Sequence, residues 1–338
     1  MKKKIILVLK FAIFLGLGIA ILWWFQRKLT PDEKKEILNS FHSANYLWVF
    51  ISIIPGIVSH LSRSLRWRML LRPMGYHPKL KTTFAAVMVG YFANLAFPRL
   101  GEVMRCGILN KYEKIPVNKS FGTVITERTV DMIVFLLLFL VTFAMEFEKL
   151  KDYVYNNFWI NFADKFNNIN VTGILFISIM LIIALIITLF FVFRKRLQKS
   201  ALFTRIVIFI MGFVEGLKSL SKVEKPWLFV FHSLFIWLNY FLMVYFIFFC
   251  FGETNHLTPD IALAVLVMGS IGIMIVQGGI GIYPVIVSKT MLIFGVSKTV
   301  GYAMGWIAWT SQTLIIILLG LLSLVILPIL NKKKDAKA

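Results

Sequence analysis

Cysteine, histidine and acidic side chains are scarce in this 338-residue chain, and each shortage removes a class of function. The two cysteines, Cys106 and Cys250, cannot build a disulfide framework and lack metal-ligand spacing. The five histidines (His42, His60, His77, His232 and His256) are dispersed without an HExxH-type pair, which argues against a metalloenzyme. Neither metal nor cofactor is expected. Long polar stretches are also missing. None exceeds roughly thirty residues, too few for a separate soluble domain.

What the chain has instead is apolar length. Hydrophobic residues make up 59% and charged residues 16%, with mean hydropathy +0.80, far from the composition of soluble domains. The sequence is that of an all-α polytopic integral membrane protein. Its formal charge of +21 does not point to nucleic acid, because the basic residues cluster at the ends of hydrophobic segments, where they set membrane orientation.

Six spanning helices are expected, over 5–25, 44–61, 119–145, 170–193, 226–251 and 299–327, each long enough for the hydrocarbon layer. The first resembles a signal peptide, but its run ends in Trp23-Trp24 without a small-residue cleavage site, so a retained helix with an aromatic anchor is preferred. Two further apolar stretches are interrupted, near 82–110 by Pro98-Arg99 and within 260–294 by Gln277-Gly278-Gly279. Both are read as re-entrant or broken elements. If both return to the side they entered from, 27 of the 37 Lys and Arg face the cytoplasm and nine face outward. That asymmetry satisfies the positive-inside rule with both termini cytoplasmic.

Residues 1–331 then form a single transmembrane domain and 332–338 a disordered basic cytoplasmic tail, while 201–220 reads as an amphipathic interfacial helix. The two broken elements would enter from opposite sides, as in inverted-repeat transport folds. The expected location is the inner cell membrane.

Candidate functional residues concentrate between Gly90 and Asp131. Glu127 and Asp131 are four apart and share a helix face, and Arg128, three from Asp131, can reach it. Charge in the hydrocarbon is costly, so these groups form a buried polar clasp, lie solvated at an interface, or line a polar substrate path. Pro98 and Gly101 break the incoming helix, and Glu102 falls where the next helix starts. Arg99 and Arg105 are either phosphate-matching donors or orienting charge. Arg63, Arg66, Arg68 and Arg72 are read as anchors snorkelling to anionic lipid in preference to a specific headgroup site. The glycines of Gln277-Gly278-Gly279-Ile280-Gly281-Ile282-Tyr283-Pro284 would expose N–H groups to an anion or admit a neighbouring helix. Gly301 and Gly305 read as a packing notch.

The pattern Asn94, Pro98, Gly101, Glu102, Arg105, followed by Glu127, Arg128 and Asp131, resembles the lysylphosphatidylglycerol synthase transmembrane-region family, whose members are flippase-like. Arg66-Trp67 and Leu70-Leu71 also look like that family's basic helix end. The resemblance implies two re-entrant elements in a helical bundle and a role in handling a charged-headgroup lipid. In the family the later loop often carries Pro before its two glycines and Glu after them; this chain has Gln277 and Tyr283-Pro284. Family enzymes carry a soluble transferase domain, whereas this sequence stops at Ala338, so the resemblance implies no transferase activity.

The expected function is transport of a phospholipid or lipid-linked anion. The candidate substrate-binding residues are Asn94, Arg99, Glu102, Arg105, Glu127, Arg128, Asp131, Gln277, Gly278, Gly279 and Tyr283. No catalytic residue is assigned. A homo-oligomer or an envelope-synthesis partner is compatible with this. Two other classes stay open: a non-transporting accessory protein of envelope lipid synthesis, and a membrane-embedded lipid-modifying enzyme using the Glu/Asp pair as acid and base.

Overall fold

The computed structural model describes residue 16 and residues 18–97, 99–147 and 223–335. The expected span 170–193, the amphipathic helix 201–220 and most of 5–25 lie outside the described residues. The rest of the first span is helical over 18–27, where Arg27 stacks over Trp23 and Lys28 over Trp24, at 4.4 and 3.9 Å from the ring centroids.

Capping chemistry starts the next helix, α1 (Pro31–Ser43). The Thr30 side chain accepts from the Glu33 N–H at 3.2 Å, and the Glu33 carboxylate accepts from the Thr30 N–H at 2.8 Å. The Thr30 N–H, and then Lys298, holds the Glu33 carboxyl below its usual range. The Lys298–Glu33 pair, at 3.0 Å, ties α1 to the last helix.

The other elements are α2 (Tyr46–Leu71), α3 (Leu80–Ala96), α4 (Leu100–Glu113), α5 (Val117–Met145), α6 (Pro226–Phe248), α7 (Pro259–Ile275), α8 (Ile282–Ile293) and α9 (Lys298–Asp335). Among the described residues, four helices are long and apolar enough to cross a membrane: Tyr46–Met74, Val117–Met145, Pro226–Phe248 and Lys298–Ile329. Their outer faces remain bare. Leu137, Leu140 and Phe143 on α5, and Leu318, Leu322 and Val325 on α9, are exposed side by side. A water-soluble fold does not leave such a surface uncovered, whereas lipid covers it. The chain is an all-α polytopic membrane protein.

Two sequence expectations are corrected here. Helix α2 does not stop at residue 61 before a basic interface segment; it continues to Leu71 and carries Arg63 and Arg66 inside the protein, where they are 3% and 0% exposed. The final basic segment is not disordered throughout, since α9 continues to Asp335.

Both interrupted stretches are helical hairpins. In the first, Phe97 is extended and Arg99 is left-handed (φ 64°), so α3 ends and α4 restarts. The arms cross at Gly90 and Gly101, where a Cβ on Gly101 would fall 2.0 Å from the Gly90 carbonyl oxygen. The second hairpin joins α7 to α8 through Gln277–Gly279, with Gly278, Gly279 and Gly281 at positive φ. Glycine adopts this conformation without a Cβ penalty.

The order long helix, hairpin, long helix therefore occurs twice: α2, α3/α4, α5 and then α6, α7/α8, α9. Packing is exchanged between the halves. Helix α3 lies on α9, α7 lies on α5, and α2 pairs with α6. Close approach depends on small residues, as helix association in lipid requires. A Cβ on Gly320 would meet Phe92 at 2.5 Å, and one on Gly305 would meet the Pro284 Cα at 2.6 Å.

Gly305→Ala should lower stability in detergent by about 1–3 kcal/mol, because its clash is with backbone that cannot swing aside. Gly107→Ala, facing open space within α4, should be neutral or gain up to about 1 kcal/mol from helix propensity. Thermal melts of the two variants check this. Equal midpoints would argue against the α8–α9 contact.

Candidate functional site

Helical spacing places Ser59, Arg63 and Arg66 along the buried face of α2. The serine hydroxyls of that face bond back to their own helix, Ser59 to the Gly56 carbonyl at 2.7 Å and Ser64 to that of His60 at 2.8 Å. Opposite them, Glu127 and Asp131 project from one face of α5. Arg63 Nη1 sits between the two carboxylates, 2.6 Å from Glu127 Oε1 and 2.5 Å from Asp131 Oδ2. Arg66 Nη2 donates to Asp131 Oδ1 at 2.7 Å, and its Nη1 to Ser233 Oγ of α6 at 3.0 Å.

A third guanidinium arrives from α4. Arg105 Nη2 donates to Glu127 Oε2 at 3.1 Å and lies over the Trp67 ring at 4.6 Å. Glu127 is fully buried, and Asp131 is 9% exposed. One network of three arginines and two carboxylates thus joins α2, α4, α5 and α6.

A looser pair stands beside it. Arg128 Nη2 bonds Glu102 Oε1 at 3.2 Å, and its side chain is 42% exposed. Asn94 reaches across the hairpin break, accepting from the Gly101 N–H at 2.7 Å and donating to Glu102 at 3.4 Å. The sequence expectation that Arg128 would neutralise Asp131 or Glu127 is not met. Arg128 adjoins Glu127 in sequence and leaves the helix on a different face from it. Asp131, three residues on, is within its reach but is already engaged by Arg63 and Arg66 of α2, as Glu127 is by arginines of other helices.

These groups border a cavity of about 580 Å³. Its lining combines charge (Arg63, Arg99, Glu102, Arg128, Asp131) with aromatic rings (Tyr91, Trp237, Tyr240, Tyr283, Trp309) and aliphatic wall from Ile53, Met132, Leu266 and Ile316. The hairpin tips meet there. A Cβ on Gly278 would touch the Leu95 side chain at 3.7 Å, and the Gly278 carbonyl accepts from Trp309 Nε1 at 2.6 Å.

Of the residues singled out from sequence, Asn94, Arg99, Glu102, Arg128, Asp131, Gly278 and Tyr283 line the cavity. Arg105 and Glu127 belong to the buried network behind it. Gly279 shapes the turn, and the Gln277 side chain lies outside the described residues. Sequence reasoning missed Arg63, Arg66, His60, Tyr91, Trp237, Tyr240 and Trp309. Readable signals existed for two of these: Arg63 and Arg66 are three apart, among Ser59, Ser62 and Ser64, on a helix that nothing interrupts before Leu71.

Arg63→Met removes the guanidinium shared by Glu127 and Asp131, leaving two carboxylates to Arg66 and Arg105, and should cost about 3–5 kcal/mol, the penalty for breaking a buried pair from one side. Combining it with Asp131→Asn should recover part of that loss. Reversible unfolding in detergent checks both. An Arg63→Met protein as stable as the parent would contradict the burial of the network.

The chain is similar to the UPF0104 membrane protein MJ1595 of Methanocaldococcus jannaschii, with 32% identity over 104 residues, 30% of this chain and 31% of the relative. It is also similar to Glycosyltransferase AglD of Haloferax volcanii, with 26% identity over 102 residues, 30% of this chain and 16% of the relative. The matched stretch spans less than a third of either relative's length. No solved structure matches. The family described as "Lysylphosphatidylglycerol synthase TM region" matches residues 7–327, nearly the whole chain. The protein belongs to the lysylphosphatidylglycerol synthase TM region family.

Proposed function

We propose that the protein binds, and passes across the bilayer, a lipid whose headgroup carries an anionic phosphate. The observation that carries this reading is the charge of the cavity and its rim. Glu127 and Asp131 are neutralised by three buried arginines, and Glu102 is engaged by Arg128. Arg99 lines the cavity with no ion pair among the described residues. Five guanidiniums against three carboxylates leave positive charge in excess, and Arg128 and Arg99 are its accessible members. Planar guanidinium forks match phosphate oxygens, while the aliphatic wall suits the start of an acyl or prenyl chain.

In this reading the two hairpins are re-entrant and meet within the membrane, as irregular backbone at that depth must line a cavity or be buried in protein. Both termini face the cytoplasm of the cell membrane, in keeping with the positive-inside asymmetry. The family's description, which names a lipid synthase, supports a lipid as cargo.

The similarity to a relative named a glycosyltransferase keeps one other reading in view, a lipid-modifying enzyme working in the same cavity. Reconstitution in liposomes with labelled phospholipids separates the two. Arg128→Ala should slow lipid movement about tenfold or more, the loss of one charge-assisted contact, while inserting normally. Arg128→Lys should keep only part of the rate, since it preserves charge but not the fork. Undiminished movement in Arg128→Ala would refute the assignment, and a covalently altered lipid recovered from the vesicles would favour the enzyme.

A further inference from the structure

We propose that the headgroup held beside the phosphate is a neutral polyhydroxylated ring, a sugar or cyclitol, because two residues of the cavity lining, Trp237 and His60, carry buried ring nitrogens without partners inside an aromatic cluster. This rests on the anionic-lipid reading above and narrows its substrate class.

The nitrogens are Trp237 Nε1 and His60 Nδ1, neither of which has a hydrogen-bond partner among the described residues. Both residues line the cavity, and they are only 9% and 7% exposed. An indole N–H can only donate, and an imidazole nitrogen donates or accepts according to tautomer. Buried groups of this kind are ordinarily paired, so the site is built to be completed by something that offers both donor and acceptor. A hydroxyl does.

Their surroundings are aromatic and adjoin the charged network. Tyr240 accepts from Arg63 Nη2 at 3.3 Å, and Trp237 stands edge-on to Tyr240 at 5.8 Å. His60 packs against Tyr91 at 4.9 Å, and Arg63 lies 5.9 Å over that same ring. Sugar and cyclitol rings present C–H faces to aromatic rings and hydroxyls at their rim. Ser270 and Gln312 add polar groups elsewhere in the lining.

The same aromatic groups could be read as a cage for an ammonium. Charge decides against that. Arg63 already occupies the Tyr91 face, both carboxylates of the network are taken by arginines, and the cavity is positive overall. Glu102 keeps one oxygen without a partner, but Arg128 sits on its other oxygen, so an ammonium headgroup would still meet net repulsion.

Binding of chain-matched lipids to the full-length protein in detergent tests this, using phosphatidylinositol, phosphatidylmethanol and phosphatidylethanolamine. Phosphatidylmethanol has the same phosphodiester charge as phosphatidylinositol but no hydroxyls. Phosphatidylinositol should bind about tenfold more tightly than phosphatidylmethanol, the size expected of one or two well-made hydrogen bonds, and phosphatidylethanolamine more weakly than either. Trp237→Phe keeps the ring and deletes the N–H, so the margin should fall to about threefold or less. Equal affinity for the two anionic lipids, a preference for phosphatidylethanolamine, or a margin untouched by Trp237→Phe would overturn the ring assignment. The lipid panel decides on the parent protein alone even if the variant folds poorly. Binding of neither anionic lipid would overturn the anionic-lipid reading together with this one.

Discussion

The junction of α2, α4, α5 and α6 is arranged around the need to neutralise Glu127, a fully buried carboxylate on an apolar helix. Alone in a low-dielectric interior it would be strongly disfavoured. It is tolerated because Arg63, Arg66 and Arg105 converge on it and on Asp131. Those arginines belong to two different helices, and Arg66 also bonds Ser233 on a third. A buried network of this kind adds little net stability compared with well-packed apolar side chains. What it supplies is registry, since α2, α4, α5 and α6 can satisfy these charges together only in one relative position.

Registry at the network then fixes the hairpin. Arg105 lies four residues beyond Gly101, so holding Arg105 on Glu127 presses the start of α4 against α3. Contact is possible only because Gly90 and Gly101 have no side chains. Asn94 closes the same junction by accepting from the Gly101 N–H. The second hairpin reaches an equivalent position by different means: three positive-φ glycines make its tip, and Trp309 holds the Gly278 carbonyl. Each tip is fastened by a hydrogen bond to its backbone, but only the first has an ion pair beside it. The cavity between them accordingly has a charged and an uncharged contribution.

How much of this was legible beforehand depends on whether the signal was local. Helix breaks at Arg99 and Gly278 follow from proline and glycine chemistry acting on neighbouring residues, and were readable. Glu127 and Asp131 sharing a face follows from helical period alone. Their partners were not readable in the same way, because Arg63 lies 64 residues from Glu127 and sits in a basic run that orientation charge explains equally well. Burial separates the two interpretations, and burial is a tertiary fact. Trp237 and His60 were hidden for a related reason. Each is an ordinary residue in an apolar helix until the cavity wall leaves its nitrogen without a partner.

Arg99 shows how local strain and function connect. It begins α4 with φ 64°, a conformation that glycine would adopt without strain. Had the turn been the only requirement, glycine would serve there as it does at Gly278. The chain instead carries a long cationic side chain at the hairpin tip, where it lines the cavity. The Asn94–Gly101 bond fastens the turn without using the Arg99 side chain, which is left to line the cavity. Positive charge at the hairpin tip is therefore retained against a conformational cost, while the carboxylates of the network are all engaged. Both facts bias the cavity in the same direction, toward a positive potential.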